Sequence, residues 1–199
     1  MITKTTKEKL DSVIKEIWEA NVSQDYKNSH LLKEDTLKNS FYYHLRRKLG
    51  TKFLEDNGIR IFTEFNDADL KGSGFRADIA IVEMGEDINP YLGDDVKSII
   101  AIVELKFKNK YTSYDVFYKD IEKTKIYIKN LNADCLYYLG FIHEKEHEKD
   151  TVYLDGRQTS NWANKKVAIL SANREIDGDG NLVFSVESYN GLNKSKGSW

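Results

Sequence analysis

Apolar positions first recur at helical spacing. Over residues 4–20, Leu10, Val13, Ile14 and Ile17 fall on one side with lysines and glutamates opposite, which predicts an amphipathic helix. A polar break, Asn21 to His30, follows. A second helix is expected from about Lys33, because Leu37, Phe41, Leu45 and Leu49 recur every four residues and Gly50 supplies a stop. Residues 53–58 add a turn before Gly58. The period then changes to that of strands. Ile59 to Phe65 reads as a strand, the turn-rich segment Asn66 to Gly74 leads to a second over 75–82, and 99–107 forms a third, apolar on both faces and therefore central. A helix over roughly 113–131 carries Phe117, Ile121, Ile128 and Leu131 on one stripe. Asp134 to Phe141 reads as a buried strand and 142–165 as polar and irregular. Lys166 to Ala172 and Leu182 to Tyr189 read as two strands joined by the turn Asp177-Gly178-Asp179-Gly180-Asn181. The order α-α-β-β-β-α-β implies one α/β domain over 1–199, with a core of about 31–141 and a β-rich appendage of about 142–192.

Two of these strands carry charge inside apolar runs. Asp78 opens the first run, and Glu104 and Lys106 close the second. An unpaired buried charge is costly, so each needs a partner, a metal ion or water. Alternation puts Glu104 and Lys106 on one face, and the Leu105 carbonyl between them is a further possible oxygen ligand. If the strands pair as an antiparallel hairpin, Asp78 meets Glu104 and Lys106. Two carboxylates and a lysine on strands suit a hydrolytic divalent-metal site. The plain alternative is a structural ion pair at a strand end.

Composition narrows the setting. The chain has 199 residues with 31% charged and a net charge of −2, which argues against a polybasic binder but allows a local basic face. The single cysteine, Cys135, lies in an apolar segment, which rules out an intramolecular disulfide and suits a reducing compartment. No apolar run approaches the ~20 residues that span a bilayer, and Met1-Ile2-Thr3-Lys4 lacks the apolar core of a secretory signal. A soluble cytoplasmic protein is the expectation. The link from Met84 to Lys97 holds the only proline, Pro90, with Glu86, Asp87, Asp94 and Asp95 read as solvated. The polar tail 193–199, apart from its final Trp199, is read as mobile.

At these residues the chain resembles the PD-(D/E)XK nuclease superfamily. Arg76-Ala77-Asp78-Ile79-Ala80 stands for the first part of the signature, with Ala77 where proline is frequent, and Glu104-Leu105-Lys106 stands for the second. Glu34 opens the helix before the sheet, Phe62-Thr63-Glu64-Phe65-Asn66 matches the strand before the Asp strand, and Asp120-Ile121-Glu122-Lys123 fits the polar pair on the following helix. The likeness covers roughly residues 31–141. It implies a restriction-endonuclease-like sandwich, a mixed central sheet flanked by helices, and Mg²⁺-dependent phosphodiester hydrolysis, with Mn²⁺ as substitute. Asp78 and Glu104 would then be metal ligands, Lys106 would orient the attacking water, and Glu34, in competition with Glu64, would assist. Nucleic acid, with DNA preferred, is the implied partner, and a homodimer is left open.

Lysines cluster after the proposed site. Lys108, Lys110, Lys119 and Lys123 are expected to contact phosphates, with Lys119 and Lys123 on the helix face opposite Phe117 and Ile121. Tyr111, Tyr114 and Tyr118 interleave and could stack on bases. A solvated basic helix face is the alternative. His143-Glu144-Lys145-Glu146-His147 matches the zinc-peptidase pattern, but that chemistry needs both histidines on one helix face and a third ligand, so a solvated turn is expected. A metal-dependent nuclease is the main expectation. A non-catalytic nucleic-acid-binding or protein-interaction module on the same fold is the alternative, and a zinc peptidase through His143 and His147 the remote one.

Overall fold

A computed structural model describes residues 2–66, 76–85, 95–131, 134–146, 152–174 and 180–192. Glu86, Asp87, Pro90, Asp94, His147, residues 67–75, most of the 177–181 turn and the 193–199 tail lie outside them. Helix α1 (Lys4–Glu16) opens on Thr3, whose hydroxyl accepts from the Thr6 N–H. It continues without a break through a π-helical segment (Ile17–Val22) into α2 (Ser23–Lys27). The polar break expected over Asn21 to His30 is therefore helical as far as Lys27 and opens only at Asn28. Trp18 and Val22, both fully buried, hold the segment against the sheet, and the Trp18 indole donates to the Ser171 carbonyl at 3.0 Å. Helix α3 (Glu34–Leu49) buries Leu37, Phe41, Leu45 and Leu49 as the spacing requires. Gly50 ends it at φ 76°, a conformation open to glycine. The short α4 (Thr51–Asp56) follows.

Six strands form one mixed sheet in sequential order. They are β1 (Ile59–Phe65), β2 (Ala77–Met84), β3 (Val96–Lys108), β4 (Leu136–Glu146), β5 (Val167–Arg174) and β6 (Leu182–Ser188). The pairs β1–β2, β2–β3 and β5–β6 are antiparallel; β3–β4 and β4–β5 are parallel. Helix α5 (Asp115–Asn130) supplies the crossover that a parallel β3–β4 pair demands, and a one-turn α6 (Gly156–Ser160) precedes β5. The chain is thus an α/β protein with an open six-stranded mixed sheet and flanking helices. The expected hairpin of the Asp78 and Glu104 strands is present, and β3 lies inside the sheet.

Alternation along β2 and β3 divides the core. Ile79, Ile81, Ala101, Val103 and Leu105 face α1, the π segment and α3. Ala80, Val82 and Ile102 face Phe117, Ile121 and Tyr127 of α5. The last two strands extend this same sheet: Ala168 and Leu170 belong to the first core and Val167 and Ile169 to the second. Residues 142–146, expected to be irregular, continue β4. Among the described residues no helix is long and apolar enough to cross a membrane.

Packing is tight between β3 and β4 at Gly140. Gly140 lies opposite Leu105, and a Cβ added there would sit 2.5 Å from Leu105 Cδ2 and 3.3 Å from Trp18 Cζ3. Both neighbours are fully buried and cannot swing into solvent. Gly140→Ala is expected to destabilise the protein by about 1–3 kcal/mol. Urea unfolding should show a lower midpoint at unchanged slope, and combining it with Leu105→Ala should cost less than the two single changes added together.

Candidate active site

The register of β2 and β3 builds the site. Ile79 pairs with Val103, so one step further Asp78 stands opposite Glu104 and their side chains share a face. The Leu105 N–H donates to Asp78 Oδ2 at 2.8 Å, which pins the aspartate beside the glutamate. Lys106 follows two residues on. Helix α3 brings Glu34 and, one turn later, Lys38 to the strand ends from one side of the sheet. Helix α5 brings Asp120 and Lys123 from the other. These residues, with Asp35, Glu64 and Arg76, line a cavity of about 310 Å³ whose ten lining residues are all charged. Six are carboxylates and four are cations, a formal excess of two negative charges.

The charges are paired in a chain. Lys106 Nζ lies 3.0 Å from Glu34 Oε2 and 3.4 Å from Asp120 Oδ2. Lys123 Nζ donates to Glu104 Oε2 and to the Arg76 carbonyl, both at 2.7 Å. Lys38 binds Glu64 and lies 3.7 Å from Asp78 Oδ1, while Arg76 Nε holds the other oxygen of Glu64 at 2.5 Å. Glu64 reaches this position from a backbone φ of 54°, an unfavourable conformation for a residue with a side chain.

Glu104 is the most deeply placed of these groups, 1% exposed. Its Oε1 is shut off from solvent without a hydrogen-bond partner. Burial pushes its carboxyl up to about 8; Lys123 pulls against this and the Asp78 charge adds to it. Burial also raises Asp120, against the pull of Lys106 and Lys123. Burial would lower Lys106, but Asp120, Glu34 and Asp78 outweigh it and hold the lysine above its ordinary value. Lys106 is thus an ammonium at neutral pH, suited to donating hydrogen bonds and offsetting negative charge rather than to removing a proton.

Asp78, Glu104, Lys106 and Glu34 therefore meet in one cavity, and Glu64 joins them. Glu34 touches Lys106, whereas Glu64 serves Lys38 and Arg76. Lys123 departs from expectation: it turns inward onto Glu104, because α5 packs Asp120, Thr124 and Tyr127 against the sheet on that same side. Lys119 stays exposed, Lys108 is half-buried, and Lys110 is exposed with its ammonium 5.0 Å from the Tyr111 ring centre. Lys38 was not anticipated, although it lies one helical turn from Glu34 and so on the same face. The zinc-peptidase pattern does not form its geometry. His143 to Glu146 lie on β4, not on a helix, and His143 is fully buried against the rings of Tyr114 and Phe117, with Nε2 2.8 Å from the Thr112 carbonyl. This replaces the expected solvated turn.

Among the described residues no three His, Cys, Asp or Glu side chains form a ready-made metal cluster. Mg²⁺ does not require one, since it keeps several waters and is often held by one or two carboxylates. Asp78 and Glu104 fit that demand: adjacent oxygen donors, one with an orphaned buried oxygen, in a cavity where six carboxyl groups face four cations. Compared with family models, curated proteins and solved structures, the chain matches none.

The raised Glu104 carboxyl has a consequence for stability. Between the ordinary value of 4.5 and about 8, the folded protein keeps a proton that the unfolded chain has released. Stability is therefore lost as pH rises through that window. His143, lowered by burial, acts in the opposite sense near its ordinary value of 6.5. Glu83 lies outside the window: burial raises it, but Lys97 and Ser98 hold it down to about 2. The comparison that isolates Glu104 is wild type against Glu104→Gln, by urea unfolding at pH 5, 6.5 and 8. The variant is expected to gain on the wild type steadily as pH rises; parallel profiles would refute the assignment.

Proposed function

We propose that this protein is a metal-dependent nuclease of the PD-(D/E)XK type that hydrolyses phosphodiester bonds, with DNA the preferred substrate. The observation that carries the reading is the meeting of Asp78, Glu104 and Lys106 in an all-charged cavity with a negative excess. The placement of the hairpin inside a mixed sheet, with α3 on one face and α5 on the other, is compatible with a restriction-endonuclease-like sandwich.

In this reading Asp78 and Glu104 hold Mg²⁺ or Mn²⁺. The bound ion supplies Lewis-acid polarisation of the phosphoryl group and a more acidic water. The chain's own groups do the rest. The Leu105 N–H fixes the Asp78 carboxylate. Lys123 occupies Glu104 Oε2 and leaves Oε1 available. Lys106, fixed between Glu34 and Asp120, presents its remaining N–H to the attacking water and stabilises charge that develops on the phosphate. Its companions Glu34 and Asp120 act as positioning residues.

A second reading, a nucleic-acid-binding module without catalysis, draws support from the pairing of each cavity carboxylate with a lysine or arginine. A cleavage panel on single-stranded, duplex and branched DNA and on RNA decides between them. Cleavage should require Mg²⁺ or Mn²⁺, stop in excess chelator, and fall roughly 10²–10³-fold in Lys106→Ala. Ca²⁺ should bind but support little turnover. Binding without cleavage of any substrate would favour the second reading.

Lys123 provides a sharper check. Because it contacts Glu104 and not the surface, Lys123→Ala should lower turnover at saturating substrate and shift the metal concentration needed for half-maximal activity. A change confined to substrate affinity would return Lys123 to the role of a phosphate contact.

A further inference from the structure

We propose that the groove between α3 and β1 binds a single-stranded stretch of nucleic acid leading away from the charged cavity. This rests on the nuclease reading and adds the route of the substrate. Six carboxyl groups face four cations in the cavity, so cations beside it would add affinity for a polyphosphate. On α3, Lys38 lies in the cavity, and Tyr42 and Arg46 follow at successive turns of the same face. On β1, the edge strand, Ile59 and Ile61 face α3, while Arg60 and Phe62 alternate with them toward the α5 side, in line with Glu64 at the cavity. Between α3, α4 and the edge of β1 lies a groove of about 290 Å³ whose lining includes Tyr42, Arg46, Leu54, Arg60 and Phe62, with Glu55 as its single carboxylate.

Three features identify the occupant. First, Arg46 and Arg60 are exposed, and no carboxylate pairs with either among the described residues. Arg46 gives one hydrogen bond to the Tyr42 hydroxyl at 3.1 Å, and Arg60 one to the Ile59 carbonyl at 2.9 Å. Each planar fork retains donors for phosphate. The neighbouring lysines differ: Lys48 is paired with Glu16 and Lys52 with Asp56. Second, the floor is apolar and the Tyr42 ring is half-exposed with the Arg46 guanidinium 5.8 Å from its centre. A duplex turns its charged backbone outward and gains nothing from an apolar floor; an unstacked base does. Third, the eight helical steps from Lys38 to Arg46 span about 12 Å, close to three nucleotides at duplex spacing and fewer in an extended strand. A basic residue near a helix C-terminus favours the helix dipole, and a charge on an edge strand discourages pairing with another chain. Those roles explain Arg46 and Arg60 singly, but not why both converge on one apolar groove beside the cavity.

The test is binding of a fluorescent thymidine 20-mer and of a matched duplex by anisotropy, in chelator so that no cleavage intervenes, across a salt series. Arg46→Ala/Arg60→Ala should weaken single-strand binding about tenfold or more, and flatten the plot of log affinity against log salt by about 1.4, the share of two phosphates. Arg46→Lys/Arg60→Lys should restore most of the salt slope. Lys52→Ala, which removes one charge from α4, should bind as wild type, and circular dichroism should be unchanged throughout. Wild-type affinity and slope in the double alanine variant would overturn the proposal, as would a wild-type preference for duplex with an equal loss of duplex binding in the variant. The nuclease reading is scored separately by Mg²⁺-dependent cleavage in the wild type. Cleavage with an unaffected variant removes the groove alone, binding that depends on the groove without cleavage removes the nuclease alone, and a wild type that binds no nucleic acid removes both.

Discussion

A carboxylate buried in the middle of the sheet governs the arrangement around it. Glu104 sits on an interior strand, 1% exposed, where an isolated ion would be far too costly to keep. Burial pushes its carboxyl up to about 8 while Lys123 pulls against this, and the lysine reaches Glu104 because α5 crosses that face of the sheet. The helix is held there by Phe117 and Ile121 packing on Ile102 and its neighbours. The same crossover makes β3 and β4 parallel and brings Asp120 to Lys106. Packing that serves stability therefore also sets the electrostatics of the site.

The cavity is a network rather than a set of pairs. Lys38 joins Glu64 to Asp78, Lys106 joins Glu34 to Asp120, and Lys123 joins Glu104 to the backbone before β2. Each cation spans two elements. Loss of one would leave its acidic partners half-buried and uncompensated, which costs more than the pair contributes when intact. The backbone of Glu64 shows the same demand from another direction: a left-handed φ is tolerated where two cations hold the side chain.

Much of the fold could be read from periodicity. The apolar stripes of α3 and α5, the alternation in β1 and the doubly apolar β3 each reflect a local pattern that the packing then uses. The misreadings have a common cause. Asn21 to Lys27 is polar enough to look like a break, yet it is helical because Trp18 and Val22 anchor the turn before it. His143 lies in a charged stretch that suggests a turn, but the ring enters an aromatic cage built by residues up to 29 positions away in sequence, and β4 continues through it. Both outcomes depend on tertiary contacts that no local window contains.

The site was legible to a similar depth. Asp78, Glu104 and Lys106 stand out because charges interrupt apolar strands, and their meeting follows from hairpin register alone. Lys123 bonds Glu104 from a position outside the apolar stripe of its helix, for a physical reason. Its ammonium lies at the end of a long flexible stem, so the apolar stripe fixes where the Cα sits but not where the charge goes. Hydrogen bonds to Glu104 Oε2 and the Arg76 carbonyl hold that ammonium inside the protein. The surface of α5 thereby loses one of the cations expected to hold phosphate. The arginines of α3 and β1 differ in kind: no buried carboxylate competes for them, and guanidinium is the more weakly hydrated cation, better matched to an anion from outside. Which basic residues face a ligand is thus decided by which ones the interior has already claimed.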